Sequence, residues 1–212
     1  MRTVLIFGFE PFGGRPVNTS EDIVRALGDD PIARHAIVRV VLPCVFGRAR
    51  TMLLRHIRRV KPVIVIGLGE AGGRRTVTPE RVAINVDDAR IADNRGARPI
   101  DRPIVKNGPA AYFSTLPIKA MVQVMRRRGV RAEISQTAGT FVCNHAFYGL
   151  MHAVAHDHRR VRAGFIHVPA LPARKHARPR PTLERMTVAI RAAIRTAITT
   201  RRDTRRSGGG EA

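Results

Sequence analysis

Short apolar runs rich in branched side chains alternate with stretches whose apolar residues recur every three or four positions. This alternation constrains the fold more than any other feature of the chain. Residues 2–9 form a near-continuous apolar run, as expected of a strand buried on both faces. A loop rich in Pro and Gly follows at 10–16. Asn18 then stands as a candidate helix cap, with Glu21 three residues later, a stripe of Ile23, Val24 and Leu27, and Gly28 as the stop. A strand is expected over 36–42. Over 48–60 a helix turns Met52, Leu53, Ile57 and Val60 inward and arginines outward. Residues 63–66 read as a short parallel-type strand, 67–73 as a glycine-rich loop and 82–86 as another strand. The polar, Pro- and Gly-containing stretch 87–108 reads as a long excursion, a kind of loop that is usually functional or mobile. Beyond it the pattern predicts a helix over 117–128, a strand over 132–137, a helix over 143–156 and a strand over 161–168. A final amphipathic helix over 182–198 carries Leu183, Met186, Ile190, Ile194 and Ile198. Strands and helices in this order predict a three-layer α/β/α sandwich around a mostly parallel central sheet.

A chain of 212 residues that is 44% hydrophobic can bury one core, so residues 1–200 are expected to form one domain. The tail, 201–212, lacks apolar periodicity and carries Gly208, Gly209 and Gly210, which predicts disorder. Cys44 and Cys143 make neither a disulfide framework nor a CxxC metal pattern, and a reducing compartment suits them. The apolar stretch near the N-terminus is too short for a secretory signal, and no run approaches about 18 apolar residues, so a cytoplasmic protein is expected. The net charge of +22 invites a nucleic-acid reading. The charge is spread along the chain, however, with only +2 in the tail, and aromatics make up only 5%, leaving few stacking platforms. Nucleic acid is therefore not an expected partner.

Cys143 carries the sharpest chemistry. It stands at the start of the helix over 143–156, just after a glycine turn, where unpaired N–H groups and the helix dipole favour a thiolate. A buried structural cysteine is the plain alternative. His167 lies near the end of the next strand, and Glu80 follows the glycine-rich loop. In open α/β sheets, groups at the carboxyl ends of strands converge on ligands. A thiol, an imidazole and a carboxylate there would make a nucleophilic triad. Spacing alone leaves open a hydrogen-bonded structural His167 and a solvated Glu80. The glycine-rich loop lacks both the Walker Lys-Ser/Thr and the full dinucleotide fingerprint. His152 and His156 have metal-ligand spacing without the intervening glutamate, and no metal site is expected.

Four segments in order resemble the type I pyroglutamyl peptidases, also called pyrrolidone-carboxylate peptidases. They are Phe7-Gly8-Phe9-Glu10-Pro11-Phe12-Gly13-Gly14 with Asn18; Gly67-Leu68-Gly69-Glu70-Ala71-Gly72-Gly73-Arg74 leading into Thr78-Pro79-Glu80-Arg81-Val82-Ala83-Ile84-Asn85; Ala138-Gly139-Thr140-Phe141-Val142-Cys143-Asn144; and Gly164-Phe165-Ile166-His167-Val168-Pro169. The likeness runs from about residue 2 to about residue 195. It implies Cys143 as nucleophile, His167 as acid–base and Glu80 as its orienting partner. It also implies a phosphorylase/hydrolase-like α/β/α fold, a cytoplasmic cysteine exopeptidase that is often a homotetramer, and no metal or organic cofactor.

The implied substrate is a peptide that begins with pyroglutamate, an uncharged flat lactam with no free amine. Phe9 and Phe12 on the first loop are the expected walls for that ring, and the resemblance adds Phe141, Val142 and Ile91. Arg90 is a candidate aid to the oxyanion. Two positions depart from the family pattern: Glu70 stands where glutamine is expected, and Cys44 where threonine is expected. If Glu70 lies at the pocket, it would add negative charge there. Two rival readings are a cysteine hydrolase of another lactam or amide, and a basic nucleic-acid-associated protein on an inactive hydrolase scaffold.

Overall fold

The computed structural model describes residues 1–157, 160–171, 181–205 and 207. Its elements are, in order, β1 (Arg2–Phe9), α1 (Thr19–Ala26), β2 (His35–Leu42), α2 (Arg48–Val60), β3 (Ile64–Glu70), β4 (Thr78–Pro79), β5 (Val82–Ile84), β6 (Ala111–Phe113), α3 (Ile118–Arg127), α4 (Val142–Ala155), β7 (Arg162–Val168) and α5 (Leu183–Thr199). A five-stranded sheet has the order β2-β1-β3-β7-β4. The first four strands are mutually parallel and the two-residue β4 joins β7 antiparallel. β5 and β6 form a separate antiparallel ribbon.

The continuous apolar runs have a direct cause. Alternate residues of a strand face opposite sides of the sheet, and both sides are covered. From β1, Val4 and Ile6 enter a core shared with Ile23 of α1, Met121 of α3 and Ile190 of α5. Leu5 and Phe7 enter a second core with Leu53 of α2 and Leu150 of α4. The expected α/β/α layering with a mostly parallel sheet is the observed one. On α2, Leu53 and Ile57 are buried as expected, together with Ala49, while Met52 and Val60 are half-buried.

Several local expectations need correction. The stretch 67–73 is not one loop: β3 runs on through Gly67 and Gly69 to Glu70, fully buried, and only then turns. The glycines are there for clearance. A Cβ at Gly67 would collide with the rings of Phe165 and Phe7. Residues 132–137 form no strand; single bridges join Val77 to Ala132 and Glu80 to Ser135. Asn18 caps α1 by accepting from Ser20 N–H at 2.9 Å, but Glu21 pairs with Arg25 instead of closing a capping box. The excursion 87–108 has no regular element, yet polar side chains, buried Asp93 among them, pin it. Asn85 bonds Val105 and Gly108, Asp93 accepts from Phe46, Arg95 and Ala97, and Asn94 reaches Glu10 and Pro11. In the stretch composition marks as a disordered tail, Asp203 accepts from the N–H groups of Lys119 and Ala120, each at 2.9 Å. Residues 206 and 208–212 of that stretch lie outside the described residues.

Candidate active site

The end of the sheet where β3 and β7 finish collects the chemistry. Gly69 and His167 are register partners on these parallel strands, so their side-chain positions face the same layer. A Cβ at Gly69 would come within 2.9 Å of Cys143 Sγ. The thiol therefore lies directly over the strand position beside His167. Cys143 is the second residue of α4, whose first residue follows Phe141, a cap with no side-chain hydrogen bond. The first internal bond of the helix runs from His145 N–H to Phe141 C=O, which leaves the preceding N–H groups without helical partners.

Glu80 sits just past β4, fully buried, and its backbone N–H donates to Phe165 C=O at 2.8 Å. Its Oε1 lies 2.7 Å from His167 Nδ1 and accepts from Arg74 at 2.6 Å. A buried carboxylate at that distance holds the proton on Nδ1, leaving Nε2 as the ring nitrogen able to move a proton. Arg74 also donates to Thr78 Oγ1 and to Thr137 C=O, tying β4 to the segment that leads into α4. Glu80 Oε2 is buried with no hydrogen-bond partner. Burial first, and the Glu80 carboxylate second, push the Cys143 thiol up to about 12, against the opposing pull of Arg74. Cys143 is half-buried, and desolvation and the Glu80 carboxylate oppose the helix terminus, which by itself favours the thiolate.

The aromatic candidates fall into two groups. Phe12 and Phe141 are half-buried with ring centroids 5.7 Å apart, and Ile91 Cδ1 lies 3.7 Å from a Cβ built on Gly13 beside Phe12. Phe9 and Val142 are almost completely buried. The Phe9 ring packs on Phe7 and Phe165, and Phe165 in turn lies 5.0 Å from the His167 ring. Arg90 is exposed, and no hydrogen bond or ion pair ties it to Cys143, His167 or Glu80. Glu70 is a structural anchor rather than a free pocket charge: its Oε2 accepts from Thr19 N–H and Oγ1 at 2.8 and 2.7 Å, and Arg15 pairs with Oε1. Cys44 is buried and its thiol is raised by burial and by the neighbouring Cys143.

Sequence reasoning missed four contributors. Phe46 sets its ring edge-on to Phe141 at 5.4 Å and to His145 at 5.5 Å. His145 pairs with Asp87 at 2.8 Å. Arg74 bridges Glu80 to Thr137. Only Arg74 had a sequence signal, its place at the end of the glycine motif. The others meet across 58 or more residues, and no local pattern announces them. Among the described residues no group of His, Cys, Asp and Glu could hold a metal ion, and no helix is long and apolar enough to cross a membrane.

Comparison with known proteins gives the family. A family model described as pyroglutamyl peptidase matches residues 2–200. The pyrrolidone-carboxylate peptidase of Cupriavidus pinatubonensis is 56% identical over 213 residues, covering 99% of each chain. The crystal structure of pyroglutamyl peptidase I from Bacillus amyloliquefaciens superposes with a TM-score of 0.92 at 42% identity, over 96% of this chain and 100% of that one. The pyrrolidone carboxyl peptidase of Thermococcus litoralis gives a TM-score of 0.89 at 38% identity, over 96% and 97%. With a family model spanning nearly its whole length and relatives above half identity, the chain belongs to the pyroglutamyl peptidase family.

Proposed function

We propose that this chain is a cysteine exopeptidase that removes pyroglutamate from the N-terminus of peptides. The observation that carries the reading is the convergence of Cys143 Sγ, His167 and Glu80 at one end of the sheet, inside a chain of this family. The uncharged lactam ring lies against apolar walls that include Phe12, Phe141 and Ile91, where an ordinary aminopeptidase would need a group to hold a charged amine. His167 Nε2 takes the thiol proton as Sγ attacks the pyroglutamyl carbonyl carbon. The carbonyl π electrons move onto oxygen, and the N–H groups at the start of α4 are placed to stabilise that oxyanion. As the tetrahedral intermediate collapses, the C–N bond breaks and His167 gives its proton to the departing amine. A thioester remains. Water, losing a proton to Nε2, hydrolyses it to free pyroglutamate and regenerates the thiol. Throughout, Glu80 keeps the imidazole in one tautomer and balances its transient positive charge.

Release of aminomethylcoumarin from its pyroglutamyl amide under reducing conditions tests this reading. The wild-type protein is expected to turn the substrate over, Cys143→Ala to be inert, and the prolyl amide, which lacks the lactam carbonyl, to be refused. Turnover by folded Cys143→Ala at the wild-type rate would sink the assignment of the nucleophile. A folded, inactive wild type would sink the substrate.

A further inference from the structure

His145 is a buried imidazole, 5% exposed, two residues beyond the proposed nucleophile on α4, and the proposed reaction does not use it. Both of its ring nitrogens are spoken for. Gly47 N–H donates to Nε2 at 3.0 Å, so Nε2 is the acceptor and the proton sits on Nδ1. That Nδ1–H donates to Asp87 Oδ2 at 2.8 Å. Asp87 is itself only 6% exposed, and its other oxygen, Oδ1, is buried without a partner. Keeping a half-satisfied carboxylate in the interior is costly, so the imidazole it holds is fixed at the expense of stability.

The ring so fixed joins three separate segments. Gly47 belongs to the turn before α2. Asp87 is the root of the long excursion, paired with Arg102 through both backbone groups. Neighbouring Asn144 grips the same root from α4, bonding Ile84 and Val86. Against the imidazole lies Phe46, edge-on at 90°, and Phe46 meets Phe141 at 90° in turn. Phe141 then packs on Phe12. Asp93 of the excursion holds Phe46 N–H at 2.9 Å, so the backbone of Phe46 is fixed from one side and its ring from the other. Edge-to-face rings are directional contacts, and a ring held by two hydrogen bonds sets the tilt of the next.

On the reading that this chain binds an N-terminal pyroglutamyl ring, we infer that His145, oriented by Asp87, is a positioning residue for the substrate pocket. It acts through Phe46 on the Phe141 wall, and it determines substrate affinity rather than the chemical step. Neither of its nitrogens is available to substrate, so it is not a catalytic residue.

Two substitutions separate the bonds. His145→Asn places an amide N–H near Nδ1, able to serve Asp87, and gives up the Gly47 bond. His145→Gln places an amide oxygen near Nε2, able to serve Gly47, and gives up Asp87. Both remove the flat ring from Phe46. Each is expected to raise KM for the pyroglutamyl coumarin amide about tenfold with kcat within about twofold, the pattern of lost uniform binding. Alkylation of Cys143 by iodoacetamide, which needs no lactam pocket, is expected to keep its rate within about twofold. In a Phe46→Ala background the His145 penalty on KM should vanish, because the two act in series. An unchanged KM in folded variants would overturn the inference. So would a fall in kcat at constant KM, or penalties that simply add to that of Phe46→Ala. If both His145 variants fail to fold, Phe46→Leu keeps the question open to measurement: it leaves the Asp87–His145–Gly47 bonds in place and must raise KM, or the proposal falls. A wild-type protein without turnover would instead remove the functional reading on which this one stands.

Discussion

At Cys143 two influences oppose each other, and their sizes decide the resting state. A helix N-terminus stabilises negative charge by about 0.3–1 kcal/mol, and up to about 2 kcal/mol in favourable buried geometry. A single pKa unit corresponds to about 1.4 kcal/mol, so the terminus supplies little more than one unit. Burial and the Glu80 carboxylate together move the thiol from 9.0 to about 12, which is the larger effect. A thiol raised in this way needs a base to take its proton, which makes the orientation of His167 decisive. Replacing Glu80 by Gln removes the charge that steadies the imidazolium while keeping the size of the side chain. kcat is expected to fall by about 10²–10⁴ with the thermal midpoint little changed. A Glu80→Gln enzyme with wild-type kcat would end the case for this carboxylate. Gly69 is the companion test. Its missing Cβ is what lets Sγ rest over β3, since the added carbon would stand 2.9 Å from it. Gly69→Ala is thus expected to lose most turnover, and retention of activity would mean that the thiol does not work from this position. Cys143 and His167 stand out in the sequence at a helix start and a strand end, whereas Glu80 is singled out by the family resemblance. The pair His145–Asp87 does not stand out, because its meaning lies in a nonlocal contact.

Among the elements, legibility followed periodicity. Helices α2, α3 and α5 carry their apolar residues at helical spacing, and their ends fall within a residue or two of the expected ones. Composition alone ends β3 at residue 66, because glycine usually marks a turn. Here it marks a place where aromatic rings and the thiol press on the backbone. The stretch 132–137 has strand-like composition but finds only single bridges to Val77 and Glu80, since tertiary context decides pairing. The start of α3 shows a further nonlocal device. Pro117 stands at its N-cap and offers no side-chain bond, and Asp203, beyond α5, supplies the missing acceptor to Lys119 and Ala120. This contact fastens the end of the α5 segment to its neighbour in the same layer. An N-cap acceptor is worth about 1 kcal/mol. Asp203→Ala is expected to lower the unfolding free energy by about that amount, and Asp203→Asn, still an acceptor, by less. Urea midpoints that coincide for all three proteins would show that the contact contributes nothing.

The whole molecule carries its charge asymmetrically. Of its 16 acidic residues, Glu70, Glu80, Asp87 and Asp93 are buried, where they anchor α1, orient His167, hold His145 and fix the excursion. The outer surface is therefore even more basic than the net +22 implies, and its self-repulsion is screened by salt. The two thiols add a dependence on pH that belongs to folding as a whole. Burial holds the folded Cys143 thiol at about 12 against an ordinary 9.0. Cys44 moves in the same direction for the same cause. Between the unfolded and folded values the native state binds more protons than the unfolded one. The stabilisation is therefore complete below the unfolded pKa and is lost as pH rises from about 9 towards the folded value. Lysine and tyrosine titrate over part of that range, so the absolute stability curve mixes several groups. The difference between wild type and Cys143→Ala isolates one thiol, because the other groups are common to both. Measured by urea unfolding, the advantage of wild type over Cys143→Ala should shrink steadily from about pH 8 to about pH 10.5. A difference that stays constant across that range would mean that the folded thiol titrates where an unfolded one does. The sulfur, half-buried against β3, would then be solvated much as it is in the unfolded chain.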